Sequence, residues 1–88
     1  YAFVSIPTGY TATAVMVYSN DASLNVEVHE SDINVSFTSA TSKGTGNPNT
    51  EIDITDVASD TTNYLVIQVD MAATSDLLYG GYVTITES

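Results

Sequence analysis

Apolar and polar side chains alternate with a period of two along most of this 88-residue chain. Leu24, Val26 and Val28 alternate with polar neighbours, and the segments 51–55 and 82–86 repeat the pattern. Successive side chains of a β-strand point to opposite faces of the sheet, so this period is typical of strands that are buried on one face. No segment shows the 3.6-residue period of an amphipathic helix. The sequence therefore predicts an all-β protein.

Turn-forming residues separate the alternating segments. Pro7 and Gly9 interrupt the chain early, and the sequence SNDAS at 19–23 is rich in residues that favour turns. We predict seven strands, at about 2–6, 11–18, 24–30, 33–39, 51–55, 63–71 and 81–87. Short strands separated by turns favour a sandwich or a barrel. The predicted fold is one domain over residues 1–88, an all-β, about seven-stranded antiparallel β-sandwich of jelly-roll or immunoglobulin-like type.

Three segments carry more specific expectations. The sequence YLVIQV at 64–69 is apolar on both faces, which predicts a central strand that is covered on each side. The segment 39–50 contains glycine and proline and few apolar residues, which predicts a mobile loop. The segment 73–81 predicts a crossover that ends at Gly80 and Gly81, where the absence of a Cβ atom lets another backbone approach.

The charge of the chain limits its partners. The single lysine, Lys43, stands against eleven aspartates and glutamates, and the net charge is −10. Nucleic-acid binding depends on cationic side chains that neutralise phosphates, so we expect no nucleic-acid partner. The same field repels anionic lipid, and no apolar run approaches the roughly 18 residues of a membrane-spanning helix, so we expect no membrane partner. The chain has no cysteine, which excludes disulfides and thiolate metal sites.

The only histidine of the chain lies in a stretch rich in carboxylates, SLNVEVHESDINVSF. We predict a hairpin between 24–30 and 33–39 that turns about Ser31–Asp32, because this register collects the large apolar side chains on one face. Glu27 and His29 then share the outer face. No nucleophile or set of oxyanion donors accompanies them, so we interpret them as solvated polar positions and not as a catalytic acid–base pair.

A second acidic segment, EIDITDVASD at 51–60, is a candidate calcium site. Asp53, Asp56 and Asp60 would supply carboxylates around a strand end and a loop, and calcium takes about six to eight oxygen ligands. The spacing is not that of an EF-hand. A solvated acidic loop is the favoured interpretation and calcium the alternative, and we expect no other cofactor.

Tyrosines are the third group of candidate residues. Tyr10, Tyr18, Tyr79 and Tyr82 flank predicted strands and are candidate interface residues, because tyrosine combines an apolar ring with a polar hydroxyl group. A row of tyrosines could instead stack against sugars, although we favour subunit contact. One histidine and no cysteine leave no arrangement for nucleophilic catalysis, so we expect that the protein is not an enzyme.

Four segments together carry a resemblance to a known group of proteins. The segments are IPTGYTAT at 6–13, NTEIDITDV at 49–57, TNYLVIQV at 62–69 and LYGGYVTI at 78–85. They resemble small β-rich proteins encoded by marine tailed bacteriophages among virion structural genes. The resemblance covers most of the chain and rests on strand and turn patterns, and the segment 29–48 departs most from it. It implies a structural or attachment component of a virus particle.

Two functions follow from this resemblance. The first is an exterior capsid decoration or cement protein that contacts the major capsid protein and further copies of itself as a homo-oligomer. The net negative charge favours the exterior of the virion, because packaged DNA would repel the domain. The alternative is a tail-fibre or knob domain that binds a host surface glycan or protein through the segments 39–50 and 73–81 and Tyr79. A more distant alternative is a carbohydrate-binding module of a secreted bacterial protein.

Overall fold

The alternating segments of the chain fold as β-strands. The computed structural model describes residues 2–34, 40–60, 62–71 and 75–87. The strands are β1 (Ala2–Ser5), β2 (Tyr10–Ser19), β3 (Asn25–Asp32), β4 (Thr41–Gly46), β5 (Ile52–Ala58), β6 (Asn63–Asp70) and β7 (Leu78–Glu87). Six of them coincide within a few residues with predicted strands. The described residues contain no helix with the length and hydrophobicity needed to cross a bilayer.

The strands form two antiparallel sheets that pack as a β-sandwich, as predicted. The larger sheet has the order β1-β6-β3-β4 and the smaller sheet the order β5-β2-β7. Only β3 and β4 are neighbours both along the chain and in a sheet. The order also differs from that of a constant-type immunoglobulin domain, in which the first two strands lie side by side, because β1 and β2 belong to different sheets.

Among the described residues, aliphatic side chains form the hydrophobic cluster between the sheets. This cluster of buried residues comprises Ile6, Ala12, Val15, Val17, Val26, Val28, Ile52, Ile54, Val57, Leu65 and Ile67. Val4, Val69 and Val83 are partly buried and pack against its border. These three valines belong to β1, β6 and β7, so the core is less covered on the side of the sandwich where those strands lie.

A bulge in β2 lets residues of both parities face the core. The register of β2 against both of its neighbours shifts between Ala12 and Ala14. A bulge adds one residue to a strand and so reverses the alternation beyond it. Ala12 and Val15, which have opposite parity, are therefore both fully buried.

The strand β6 confirms the prediction for the segment 64–69. It lies between β1 and β3 in the larger sheet. Leu65 and Ile67 are buried on the core face, and Val66, which points the other way, is also fully buried. A strand with cover on both faces is expected to be apolar throughout.

The predicted hairpin between 24–30 and 33–39 is wrong. β3 continues through Ser31 and Asp32, the predicted turn residues, and pairs with β6 along one edge and with β4 along the other. Ile33 and Asn34 lie in a turn, and the remainder of the predicted strand, 35–39, lies outside the described residues. Both edges of β3 are thus occupied by strands from elsewhere in the chain.

The prediction of a mobile loop over 39–50 is also wrong, because residues 41–46 form β4. Val26 and Val28 of β3 pair with Gly46 and Gly44. The core-facing positions of β4 are therefore glycines, and the strand has no apolar alternation that sequence analysis could detect. The space that their side chains would occupy is filled from the facing sheet, since a Cβ atom at Gly46 would lie 2.7 Å from Ile52 Cγ1.

The two glycines of the segment 73–81 lie inside a strand and not at the end of a crossover. β7 begins at Leu78, and Gly80 and Gly81 pair with Tyr18 and Val17 of β2. A Cβ atom at Gly81 would collide with the backbone carbonyl oxygen of Met16. The predicted close approach of another backbone at this position is confirmed.

Substitution of Gly46 tests how β4 is seated on the facing sheet. We expect Gly46→Ala to lower the free energy of unfolding by about 1–3 kcal/mol, the usual cost of overpacking, because the added methyl group meets Ile52. The control, Thr45→Ala, removes an exposed side chain from the same strand and should change stability by less than about 0.5 kcal/mol. Urea midpoints measure both, and equal midpoints would contradict the packing of β4 on β5.

Candidate functional site

Glu27 and His29 share the outer face of the larger sheet, as predicted, but they are not fully solvated. Their side chains are 31% and 19% exposed, and Glu27 Oε1 lies 4.0 Å from His29 Nε2. His29 pairs with Ser42 on β4 and with Val66 on β6. A hydrolytic centre would need donors aimed at an oxyanion, whereas the backbone of β3 is engaged in ladders on both sides. This face provides a half-buried polar pair and not an assembled catalytic site.

Glu30 has a different role from the other acidic residues of this stretch. Its carboxylate lies 3.4 Å from Lys43 Nζ and accepts a 2.8 Å hydrogen bond from Asn63 Nδ2. The same amide nitrogen donates to the carbonyl oxygen of Ala58, and Asn63 Oδ1 accepts from the backbone N–H of Asp60. Glu30 therefore helps to join β3, β4 and the β5–β6 connection.

The three aspartates of the candidate calcium site do not form a ligand set. Asp53 and Asp56 are exposed on β5, and Asp60 lies in the following loop. No group of three or more histidine, aspartate or glutamate side chains in the described part of the chain is placed to hold a metal ion. Asp60 instead stabilises its own loop, because its carboxylate accepts hydrogen bonds from the backbone N–H groups of Thr62 and Asn63 at 2.7 and 2.8 Å.

The four candidate tyrosines all lie on the smaller sheet. Tyr10 and Tyr18 belong to β2, Tyr79 and Tyr82 to the adjacent β7, and all four are exposed. The rings of Tyr18 and Tyr82 approach to 6.4 Å between centroids, and the Tyr82 hydroxyl group donates to Glu51 Oε2 at 3.3 Å. Partial desolvation, followed by the negative charge of Glu51 and this hydrogen bond, raises the pKa of Tyr82. The structure thus brings together Tyr18, Tyr82 and Glu51.

One concave feature of the surface is an apolar groove that the sequence patterns did not predict. It has a volume of about 660 Å³ and lies between the sheets on the side of β1 and β7. Its lining residues are Ala2, Val4, Ser5, Ile6, Pro7, Met16, Val17, Ile67, Val69, Met71, Leu78, Gly80, Gly81, Tyr82, Val83 and Ile85. The lining has very few polar groups that could orient a small polar ligand, so an apolar occupant suits it better.

The groove exists because the sandwich is closed along only one side. β4 packs against β5 at one border of the two sheets. At the other border, β1 and β7 pair only with β6 and β2 among the described strands. The one sequence signal for this side is the pair Leu77 and Leu78, which falls outside any alternating run and is exposed in the structure.

The groove and the tyrosine face, formed by Tyr18, Tyr82 and Glu51, are adjoining features that share Tyr82. The groove offers apolar side chains beside strand edges that no described strand pairs with, and the tyrosine face offers aromatic rings beside a carboxylate. Comparisons of this chain with family models, with curated proteins and with solved structures found no match. The resemblance to small phage virion proteins therefore remains a prediction.

The hydrogen bonds of Asp60 predict a dependence of stability on pH. Donation from the backbone N–H groups of Thr62 and then Asn63 lowers the pKa of Asp60. A lowered pKa in the folded state stabilises the fold above the unfolded-state pKa, and this contribution is lost as the pH falls through the folded-state pKa. We expect Asp60→Asn, which keeps an acceptor oxygen but cannot ionise, to lose less thermal stability than wild type between about pH 7 and about pH 2.

The control for this measurement is Asp53→Asn, which removes the same charge from the exposed face of β5. It separates the effect of the loop hydrogen bonds from that of net charge. Identical pH profiles for Asp60→Asn and Asp53→Asn would show that the loop carboxylate makes no specific contribution.

Proposed function

We propose that this domain is a virion structural protein, an exterior capsid decoration or cement protein that acts through protein–protein contacts and catalyses no reaction. The observation that carries the proposal is the open apolar groove beside β7. A large exposed apolar surface on a small domain is typical of an interaction site, because its burial is favourable by about 25 cal/mol per Å². The resemblance of four chain segments to phage virion proteins supplies the biological setting.

Four of the exposed apolar side chains line the groove. Leu78 is 48% and Ile85 is 37% exposed, and Met71 and Tyr82 lie close to them on the groove lining. The aliphatic core is correspondingly less covered on this side. A partner that covered the groove would therefore extend the core of the domain as well as bind it, which suits a cement protein that must stay attached to a shell.

The charge distribution supports an exterior position. The one lysine lies 3.4 Å from Glu30, so it is already engaged by a carboxylate of the domain itself. The domain thus has a net charge of −10 and little capacity to neutralise phosphate groups. The outer surface of a shell, away from packaged DNA, suits such a domain. The proposed partners are the major capsid protein and further copies of the domain.

Purified particles of the virus that encodes the domain provide the test of this proposal. Antibodies raised against the domain should label intact particles at regularly repeated positions, because an exterior decoration protein occupies symmetry-related sites. Release of the domain from the particles should also lower the melting temperature of the shell. Particles that lack the domain, or that melt identically with and without it, would overturn the proposal.

A second function is favoured by the tyrosine face of the smaller sheet. The neighbouring rings of Tyr18 and Tyr82, with the Glu51 carboxylate hydrogen-bonded to one of them, resemble a surface on which a sugar ring stacks and donates its hydroxyl groups. This surface would suit a tail-fibre or knob domain that binds a host surface glycan. The segments 39–50 and 73–81 are a weaker basis for that function, because residues 41–46 form β4 and residues 78–81 belong to β7.

A glycan array discriminates this second function from the first. If the domain binds a glycan through the tyrosine face, Tyr82→Ala should abolish the signal, because it removes one ring of the pair and the partner of Glu51. Tyr10→Ala, a tyrosine at the far end of β2, should leave the signal unchanged. Absence of binding to every glycan by the wild-type domain would remove the second function from consideration.

A further inference from the structure

We propose that the groove between β1 and β7 receives an extended segment of a different protein, which pairs with the open edge of β7 as a fourth strand of the smaller sheet. The segment carries alternating apolar side chains and is flanked by lysine or arginine. This inference rests on the proposed function, because another protein of the virus particle would supply the segment. Four features of the domain support this inference. They are the unequal numbers of strands in the two sheets, the open edge of β7, the length of the groove and the net negative charge.

The two sheets have unequal numbers of strands, which leaves one position vacant. The larger sheet has four described strands and the smaller sheet has three. β4 of the larger sheet packs against β5 of the smaller one, whereas β1 at the opposite border has no described strand facing it. The vacant position lies beside β7 and above β1. A strand there would cover Val4, Val69 and Val83, the partly buried valines at the border of the core.

Of the four strands at the sheet borders, β7 alone is long and has neither a proline nor a charged side chain before its last residue, and it carries an extra residue against β2 only near its start, between Leu78 and Gly80. Proteins commonly protect such edges with short strands, proline, or charged side chains. β1 has four residues and is followed closely by Pro7, β4 carries Lys43, and β5 carries Asp53 and Asp56. β7 has ten residues, and none before Glu87 is charged or is a proline. Its open edge is therefore the one best suited to accept another strand.

The dimensions of the groove suit one extended segment. The lining residues of β7 run from Leu78 to Ile85. At a rise of about 3.3 Å per residue, this length is roughly 23 Å and matches a donor strand of about eight residues. Every second side chain of such a strand would enter the groove, and its backbone would pair with β7, which is the general mode of β-strand addition. An alternating apolar pattern in the donor follows from this geometry.

Charge decides between a second copy of this chain and a different protein. Asp76 lies two residues before the lining residue Leu78, and Glu87 lies two residues after the lining residue Ile85. Two copies, each with a net charge of −10, would bring like charges together at both ends. A segment flanked by lysine or arginine would be attracted to these carboxylates instead. The charge complementarity therefore favours a different, locally basic partner.

Synthetic peptides of about nine residues provide the probe. The first alternates valine and threonine between terminal lysines, the second replaces the lysines with glutamates, and the third replaces two of the valines in the lysine peptide with prolines. We expect the lysine peptide to bind at least about ten-fold more tightly than the glutamate peptide at roughly 0.02 M salt, and this preference to shrink at about 0.5 M salt. The proline peptide should not bind.

Hydrogen exchange of the labelled domain locates the bound peptide. Alternate backbone N–H groups of an edge strand point away from its neighbour. We expect those of β7 to become protected on addition of the lysine peptide, with no change at the edges of β4 and β5. Unchanged exchange along β7 at a saturating peptide concentration would overturn the proposal, and this measurement on the wild-type domain requires no variant to fold.

Two variants and a matched control test the groove itself. Leu78→Gln and Ile85→Gln place a neutral polar group on the apolar lining, and each should weaken binding of the lysine peptide at least about ten-fold. Ile33→Gln makes the same change at a residue that is 74% exposed and does not line the groove, and it should leave binding unchanged. Equal effects of all three substitutions would overturn the assignment of the groove as the binding site.

Three further outcomes separate this inference from the other possibilities. A domain that dimerises alone, with β7 protected in the dimer and Leu78→Gln monomeric, would show that a second copy occupies the groove and would overturn the proposal of a different partner. Attachment of both wild type and Leu78→Gln to virus shells would overturn strand insertion and leave the proposed function intact. Peptide insertion without any attachment to shells would overturn the proposed function and leave strand insertion intact.

Discussion

The close approach of β4 to β5 is the contact on which the rest of the sandwich depends. Both core-facing positions of β4 are glycine, and isoleucines of the facing sheet fill the space above them. The core cluster is wholly aliphatic, so its contribution to stability follows the apolar area that it removes from water. The glycines let the two sheets come together at this border and enclose that area. The border between β1 and β7 has no such contact, and the difference between the two borders produces the groove.

Three surfaces of the domain differ in the chemistry of their side chains. At the groove, apolar side chains lie beside the open edge of β7. The paired tyrosines with their carboxylate partner occupy the outer face of the smaller sheet. On the outer face of the larger sheet, Glu27 and His29 are partly covered and stand beside the fully buried Val66. The net negative charge acts on all three surfaces at once, and it favours partners that are neutral or basic.

The sequence predicted the strands far better than their partners. A period of two identified β2, β3, β5 and β7, and the apolar segment 64–69 correctly indicated the central strand β6. The same signal failed for β4, because its core-facing positions are glycines and show no alternation. The alternating residues after Asp32 then suggested a hairpin, yet β3 pairs with β4 and β6. The candidate tyrosines were found from residue type alone, but the approach of Tyr18 to Tyr82 depends on β2 and β7 being neighbours.

The sequence by itself determined that the chain is built from strands, that its surface is strongly acidic, and that one lysine is available to balance eleven carboxylates. Only the tertiary structure decided the strand order, the bulge that buries both Ala12 and Val15, and the division into four strands against three. The physical reason is that alternation shows which face of a strand is buried. The strand that covers this face, or pairs with its edge, comes from another part of the chain. The groove results from the arrangement of four strands against three, so no local pattern of residues could have revealed it.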